Sequence, residues 1–259
     1  MKNIEHVLLE LGTTCNLKCP DCLHVLDPKK PTNITISEII KILKRYPRLK
    51  EVILSGNYSE PTLYPDFIKL VKLLQIMKLN ISIYTNLESK NIQFWTELNK
   101  ILKPSSQLVL SLFGTKGYHE KYRIGGNFDK WLEHYNILTC NIQLQFIQFD
   151  YNKQELDKLQ VMFKNKDIIV IPNNNINEFF YNDFQNISYP VDIECNSLKT
   201  NSIEINERSI AFPCHLARNY NKVLPIKDGS YDYTEFISGK YNFCKMFCNK
   251  NKPNKIKPW

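Results

Sequence analysis

The stretch CNLKCPDC, from Cys15 to Cys22, decides how the rest of this sequence is interpreted. Its cysteines follow a CxxxCxxC pattern, so a short loop can turn Cys15, Cys19 and Cys22 toward one centre. A structural iron-sulfur cluster normally takes four cysteines, and a structural zinc site is normally closed by four ligands. Three cysteines in one loop therefore indicate a metal site that keeps one position for another ligand.

The pattern resembles the signature of the radical S-adenosylmethionine (radical SAM) enzymes. In that family the three cysteines hold a [4Fe-4S] cluster whose fourth iron binds the methionine end of SAM. One electron from the cluster cleaves SAM to methionine and a 5′-deoxyadenosyl radical, which takes a hydrogen atom from the substrate. The resemblance implies that Cys15, Cys19 and Cys22 bind this cluster. Two alternatives are a zinc site whose remaining ligand comes from elsewhere, and three buried thiols that bind no metal. The family often has an aromatic residue before the third cysteine, but this chain has Asp21, so no ring is expected to stack on the adenine from there.

The composition predicts one sizeable core and at most a small appendage, since 43% of the 259 residues are apolar. We expect no signal peptide and no membrane span, because no apolar run is long enough. Eight cysteines without a secretion signal favour metal or redox chemistry in a reducing compartment, so a cytoplasmic protein is expected. The formal charge of +8 is uneven, with a lysine-rich tail from Lys240 onward that would attract a polyanion or simply be solvated.

Apolar runs alternate with helical patterns along most of the chain. Strands are predicted at residues 6–12, 51–55, 80–85, 107–112, 141–149 and 167–171, and helices at 35–46, 66–77, 89–102, 128–138 and 153–164. The first run, HVLLELG, reads as a strand covered on both faces. Six such units imply a parallel sheet with right-handed crossovers, and radical SAM enzymes have a partial (β/α)6 barrel of this kind. We predict this α/β core over residues 1–172, followed by a linker and a small cysteine-rich extension over 173–259.

Ligands of parallel α/β folds bind at the carboxyl ends of the strands, so site residues are expected in the loops after strands two to four. After strand two, Ser55-Gly56-Asn57-Tyr58-Ser59-Glu60-Pro61 resembles the family's GGEP segment, which contacts the amino group of SAM. The resemblance implies that Gly56 lets backbone approach SAM and that Glu60 accepts from its ammonium. The set of predicted contacts in this segment is Ser55, Gly56, Asn57 and Glu60.

Further SAM contacts are expected after strands three and four. Thr85 and Asn86 match a Thr-Asn-Gly of relatives, with Leu87 in place of the glycine, so a less tight turn is predicted. Ser111 matches a polar position that contacts the SAM ribose or carboxylate in relatives. The stretch after it resembles the family's H..yRg...F pattern, in which Arg123 is a further candidate contact.

Three other residues of the core bear on the site. Phe113 stands where relatives often have an acid, so any role of that acid is absent. His119 either orders its loop or touches a ligand. Cys140 precedes strand five, at the end of the sheet opposite to the site, and is read as structural.

Four more cysteines follow an asparagine-rich stretch that ends near Pro190. They form two pairs, and NSIEINERSIAFPC between the first two reads as a β-hairpin. The set resembles the twitch extension, a shortened SPASM domain holding one auxiliary [4Fe-4S] cluster, with a four-cysteine zinc site as the alternative. Its members are Cys195, Cys214, Cys244 and Cys248.

These features predict a radical SAM oxidoreductase that cleaves SAM and takes hydrogen from a small polar molecule or peptide. An auxiliary cluster would transfer electrons, and a donor such as flavodoxin or ferredoxin would reduce the enzyme. The sequence identifies no catalytic residue beyond the cofactor sites. The alternatives are modification of a nucleotide or nucleic acid, suggested by the basic tail and less favoured, and a non-catalytic iron or zinc protein.

Overall fold

The computed structural model describes residues 4–164, 166–172, 202–205, 211–212, 226–227 and 230–231. Its main element is a sheet in which six strands follow one another in chain order, each parallel to the next. They are β1 (His6–Leu9), β2 (Glu51–Leu54), β3 (Asn80–Thr85), β4 (Gln107–Leu112), β5 (Asn141–Gln148) and β6 (Ile168–Pro172). The predicted βα alternation and the open (β/α)6 sheet are therefore confirmed, with strand ends shifted by a few residues at most.

Helices connect these strands as the alternation predicts. They are α1 (Leu23–Leu26), α2 (Ile36–Leu43), α3 (Phe67–Ile76), α4 (Ile92–Ile101), α5 (Tyr118–Tyr122), α6 (Phe128–Asn136) and α7 (Glu155–Met162), with 3-10 turns at Pro61–Leu63 and Asp150–Asn152. The short α1 and α5 were not predicted, because four or five residues carry no measurable periodicity. None of the helices in the described ranges is long and apolar enough to cross a membrane.

Polar caps begin several of these helices where the sequence has Thr or Asn. Thr35 and Glu38 form a reciprocal capping box at the start of α2, with Glu38 N donating to Thr35 Oγ1 at 3.3 Å and Thr35 N to Glu38 Oε2 at 3.0 Å. Asn91 Oδ1 accepts from the backbone of Phe94 at the start of α4. These side chains satisfy helix donors that have no partner within the helix.

The two faces of the sheet differ in chemistry. One face packs against the helices in a single core, to which Leu9, Leu54, Ile83, Trp95 and Trp131 belong. The opposite face of β1 and β2 carries the polar His6 and Glu51 together with the apolar Leu8 and Ile53, and all four are only half-buried.

Four hydrogen-bonded side chains form a row across this second face, near the amino ends of four strands. His6 Nδ1 lies 2.9 Å from Glu51 Oε2, Ser82 Oγ donates to Glu51 Oε1 at 2.5 Å, and Gln107 Nε2 donates to Ser82 Oγ at 3.0 Å. The first strand was expected to be covered on both faces, but His6 and Leu8, which share its second face, are only half-buried.

Beyond β1 the sheet continues with a strand from late in the sequence. β7 (Ser202–Ile205) pairs parallel to β1, and β8 (Ala211–Phe212) pairs antiparallel to β7. The predicted hairpin is thus present, but its first strand extends the core sheet, which pattern alone did not indicate. A separate antiparallel pair joins β9 (Ile226–Lys227) and β10 (Ser230–Tyr231).

Candidate active site

The cysteine loop, residues 15–22, leaves the carboxyl end of β1 and ends at α1, whose N-cap is Cys22. It is fixed at several points: Cys22 N donates to Cys19 O at 3.1 Å, and Lys18 N donates to Ile124 O at 3.0 Å. Cys22 Sγ points at the carbonyl of Asn57 at 3.6 Å. The loop therefore rests on segments that follow β2 and β4, as the architecture of parallel sheets predicts.

The three thiols of this loop are half-buried and share an electrostatic environment. Burial raises the pKa of Cys15 to about 12 and that of Cys19 to about 11, and burial also raises the pKa of Cys22. The other two cysteines contribute further to the high pKa of Cys15, so the three lie within electrostatic reach. Such thiols stay protonated at neutral pH until a cation replaces the proton, because a metal binds the thiolate.

The described residues contain no group of three or more His, Cys, Asp or Glu side chains arranged to hold a metal ion. The fit to a four-iron cluster rests instead on donor chemistry, since three neighbouring thiols in one loop are the ligands that such clusters use. Cys140 lies apart, just before β5, and packs against the core as expected.

The loop after β2 is held by a buried acid that the motif comparison did not indicate. Glu10, which is 0% exposed, accepts a hydrogen bond from Tyr58 N through Oε1 at 2.6 Å. A Cβ on Gly56 would lie 2.5 Å from that same oxygen and 2.4 Å from Ser59 Oγ, so a larger residue would force these side chains to move. The signal for Glu10 was a lone charge inside an apolar strand. Asn57 lies on this loop beside Cys22, and Ser55 begins the loop, with its N–H donating to Leu9 O at 3.4 Å.

Glu60 occupies the junction between the loops after β2 and β3. Its Oε1 accepts from Thr62 N, Thr62 Oγ1 and Thr85 Oγ1, at 3.2, 2.6 and 2.6 Å. Its Oε2 accepts from Asn86 N at 2.8 Å. Burial raises the pKa of Glu60, and these donors oppose the rise. The contact of Glu60 with the SAM ammonium stays a prediction, and the structure gives the carboxylate a role in joining two loops.

Asn86 is the residue where the loops meet, and all of its polar groups are used. Its Nδ2 donates to Asn16 Oδ1 at 2.8 Å and lies 4.0 Å from Cys15 Sγ. Its carbonyl accepts from Arg123 Nη1 at 2.8 Å, and its Oδ1 accepts from Glu88 N at 2.8 Å. The predicted Thr85, Asn86 and Arg123 are thus brought together with the cysteine loop.

Leu87, which follows, has a left-handed backbone with φ of 64° while its side chain is fully buried. A less tight turn was expected because the family's glycine is missing. The structure contradicts this expectation, since leucine adopts the conformation that favours glycine and is held there by core packing. Its carbonyl accepts from His134 Nδ1 at 2.7 Å.

Aromatic residues line the carboxyl ends of β4 and β5. Phe113 stacks on Tyr122 with 4.4 Å between ring centres, and the Arg123 guanidinium lies over Phe113 at 5.1 Å. Burial and then the charge of Cys19 raise the pKa of Tyr122, which places this ring beside the cysteine loop. Ser111 is half-buried on the inner face of β4, one residue before the strand ends. Phe113 thus supports Arg123 where relatives have an acid.

Four predicted metal ligands, Cys195, Cys214, Cys244 and Cys248, lie outside the described residues. The same is true of the linker and the basic tail. The candidate site therefore consists of the loops after β1 to β4, with Cys15, Cys19 and Cys22 at their centre.

The chain is similar in sequence to a protein family and to a curated protein. A family model described as the radical SAM superfamily matches residues 9–139. A cysteine-type anaerobic sulfatase-maturating enzyme of Clostridium novyi (strain NT) is 27% identical over 187 residues, which are 64% of this chain and 50% of that protein. The chain thus spans about half the length of that curated relative.

Solved structures share the fold. Streptococcus suis SuiB bound to S-adenosylmethionine matches with a TM-score of 0.60 and 17% identity, over 83% of this chain and 59% of SuiB. SuiB bound to the precursor peptide SuiA gives a TM-score of 0.63 at 15% identity, over 88% of this chain and 62% of SuiB. BtrN in complex with AdoMet and 2-DOIA gives a TM-score of 0.58 at 13% identity, over 99% of this chain and 97% of BtrN.

Proposed function

The chain belongs to the radical SAM superfamily of enzymes, and on that premise we propose that it cleaves SAM reductively and takes hydrogen from a polar substrate. A [4Fe-4S] cluster with bound SAM would supply the electron and the 5′-deoxyadenosyl radical. The observation that carries the proposal is the meeting of four loops around the three half-buried thiols at the carboxyl end of the sheet.

We assign the site residues to binding the cluster, placing a cation beside it, holding the loops and contacting SAM. Cys15, Cys19 and Cys22 bind the cluster through thiolates, which the surrounding loops shield from water. Arg123 offers a cation next to this site, and Glu60 holds the loops after β2 and β3 in register. The remaining predicted SAM contacts are Ser55, Gly56, Asn57, Thr85, Asn86 and Ser111.

We favour a peptide as the substrate. The curated relative is a sulfatase-maturating enzyme, and SuiB was solved with a precursor peptide. Peptides can be incubated with the enzyme and SAM and analysed by mass spectrometry, each beside a variant that lacks one residue. A mass loss of two hydrogens that disappears in the variant would identify the modified residue.

A small polar molecule is the second candidate. BtrN, solved with 2-DOIA, matches nearly the whole of both chains, whereas SuiB is matched over 62% of its length at most. The extent of the structural match therefore supports a small-molecule reaction, and sequence similarity supports a peptide. Turnover of a small polar molecule such as 2-DOIA, without modification of any peptide, would decide for the small molecule.

For the second cysteine set, we propose an auxiliary [4Fe-4S] cluster that accepts an electron from the substrate radical. Four cysteines suffice to fill all four iron positions, which leaves electron transfer as the role. They belong to the proposed second region, residues 173–259. Flavodoxin or ferredoxin would donate the first electron, and the need for free thiols favours the reducing cytoplasm.

The decisive experiment is anaerobic reconstitution followed by iron and 5′-deoxyadenosine assays. Two four-iron clusters would give about eight irons per chain, and replacing Cys15, Cys19 and Cys22 by Ala should halve the iron and abolish SAM cleavage. Cys140→Ala is the matched control and should change neither quantity. Zinc without iron-sulfur absorbance, or SAM cleavage by the triple variant, would refute the proposal.

A second variant separates the two cysteine sets. Replacing Cys244 and Cys248 by Ala should also halve the iron, but SAM cleavage should persist because the first cluster is intact. Binding to RNA or DNA that weakens steeply with salt would instead favour the nucleic-acid alternative for the basic tail.

A further inference from the structure

The outer surface of the cysteine loop is open to solvent. Between the half-buried cysteines, the side chains of Lys18, Pro20 and Asp21 are exposed. An outside molecule that touches these residues is separated from the thiols by the thickness of one loop. The same surface is therefore the place where an electron carrier could come close to the centre of the site.

Large apolar side chains border this loop at two points. Val25 and Leu26 are 38% and 54% exposed, and their N–H groups donate to Cys22 O at 2.8 and 3.0 Å. At the second point, Ile124 is 48% exposed, and its carbonyl accepts from Lys18 N at 3.0 Å. These are three of the eight exposed large apolar side chains in the described part of the chain. Exposed apolar side chains that stand together are typical of a surface that another molecule covers.

Lysine side chains lie around these apolar residues. Lys18 belongs to the loop, and Lys30 is held beside its start, because Thr13 Oγ1 donates to Lys30 O at 2.8 Å. Both lysine side chains are exposed, and neither forms an ion pair with a described residue. Lys29 and Asp27 neutralise each other at 2.6 Å.

One more cation and one acid complete the charge of this surface. Lys121, on α5, is exposed and lies over the Tyr151 ring at 4.4 Å. Asp21 is the exposed acid of the loop itself. Three lysines against one aspartate leave the surface positive. An apolar centre with a charged rim is the usual construction of a protein interface, and a positive rim favours and steers an acidic partner.

We propose that this surface docks the acidic one-electron carrier that reduces the cluster of the cysteine loop. The docking surface consists of the loop with its apolar neighbours Val25, Leu26 and Ile124, and of the rim Lys18, Lys30 and Lys121. The inference rests on the proposed function, which requires an electron from outside. One electron passes from the reduced carrier to the cluster, so the carrier is oxidised, the cluster is reduced and no bond changes in that step. Transient electron-transfer complexes use small interfaces, so a few apolar side chains with a charged rim suffice.

The test measures how fast reduced flavodoxin reduces the reconstituted full chain in the presence of SAM. Oxidation of the flavin is followed by anaerobic stopped-flow absorbance, and 5′-deoxyadenosine is quantified in the same samples. Leu26→Asp places a charge in the apolar centre, and Lys30→Glu reverses one cation of the rim. Each should lower the second-order rate constant about tenfold. Added salt should slow reduction of the unsubstituted protein, and Lys30→Glu should weaken that dependence.

Ile76→Asp and Lys100→Glu are the matched controls. Both residues are exposed and lie at the ends of α3 and α4, which lead to the amino edge of the sheet, opposite to the cysteine loop. Their rate constants should equal that of the unsubstituted protein. With dithionite, a small reductant that needs no docking surface, every variant should cleave SAM as fast as the unsubstituted protein.

An unchanged rate constant in either test variant would overturn the inference. An equal loss of SAM cleavage with dithionite would also overturn it, because the surface would then serve SAM or the substrate. The same holds if neither reduced flavodoxin nor reduced ferredoxin reduces the unsubstituted protein while dithionite does. If Leu26→Asp takes up no cluster, Ile124→Asp at the second apolar point decides. Failure of the proposed function is distinct, since the unsubstituted protein would then cleave no SAM even with dithionite.

Discussion

The two edges of the sheet use charge in opposite ways. At the amino edge, Lys50 and Glu5 form an ion pair at 2.7 Å with side chains 63% and 26% exposed. At the carboxyl edge, Glu60 and Glu88 are 4% and 5% exposed and each accepts several hydrogen bonds from neighbouring loops. In the described part of the chain, the buried Glu60 and Glu88 thus hold loops around the candidate site, whereas the pair at the amino edge stays exposed to water. Exposed pairs contribute little free energy, whereas unpaired buried donors are costly.

The sharpest test of this difference is Glu60→Ala. The substitution leaves donors of Thr62, Thr85 and Asn86 without their acceptor, so we expect the free energy of unfolding to fall by about 3 kcal/mol or more. Urea unfolding can be followed by the fluorescence of the buried Trp95 and Trp131. Glu60→Gln keeps Oε1 for three of these donors and should lose less. Equal stability of the Ala variant would contradict the assigned role.

Lowering the pH should destabilise the carboxyl edge of the sheet before the amino edge. Burial lowers the pKa of His119 and of His134, so both are neutral in the folded protein and gain protons more readily when unfolded. Their contribution to the free energy of unfolding is complete above pH 6.5, the ordinary pKa of a histidine side chain. It is lost as the pH falls below 6.5, by at most about 1.4 kcal/mol per pH unit for each histidine. Glu88 adds a loss at lower pH, because its pKa is depressed.

Unfolding free energies between pH 7.5 and about pH 5 would measure this dependence. His119→Gln should give a shallower slope than the unsubstituted protein. An unchanged slope would remove His119 from the groups that titrate on unfolding.

Substitutions at Leu87 should change stability by a smaller amount and test the turn conformation alone. Glycine normally destabilises a site relative to alanine, but at φ of 64° the order should reverse. We expect Leu87→Gly and Leu87→Ala both to destabilise, since both lose a buried side chain, with the Gly variant more stable than the Ala variant by about 1 kcal/mol. Urea midpoints of the two variants compare them directly. A less stable Gly variant would show that the turn is not strained by leucine.

The smallest effect is expected at the amino edge. Lys50→Ala removes only the exposed pair with Glu5, so unfolding free energy should change by less than about 1 kcal/mol. A loss comparable to that of Glu60→Ala would break the contrast between the two edges.

Local pattern was enough to predict the six core strands, because strand and helix periodicities are properties of neighbouring residues. The predicted ranges 80–85 and 107–112 coincide with β3 and β4. Motif position also indicated Thr85, Asn86 and Arg123, which the structure brings next to the cysteine loop, and their contact with SAM stays a prediction. The placement of β7 beside β1 could not be predicted, because it joins residues nearly two hundred positions apart.

Two features of the site depend on packing and were missed for that reason, and a third was overlooked although the sequence indicated it. Glu88 looks like any acid in a loop until His119 and Arg123 surround it. Leu87 replaces a glycine without changing the turn, since the core holds its side chain. Glu10 carried a signal, a charge within an apolar strand, and a systematic search for such charges would have found it.

The parallel pairing of β1 with β7 has a consequence for the order of folding. β1 leads into the cysteine loop, and one of its two neighbours is formed by residues 202–205, with Glu10 N donating to Ile205 O at 3.0 Å. On the ribosome, the first strand must wait for a partner made more than 190 residues later, and such long-range pairings form slowly. The strand that leads into the cysteine loop therefore completes its hydrogen bonding among the last parts of the core, after the other β/α units are in place.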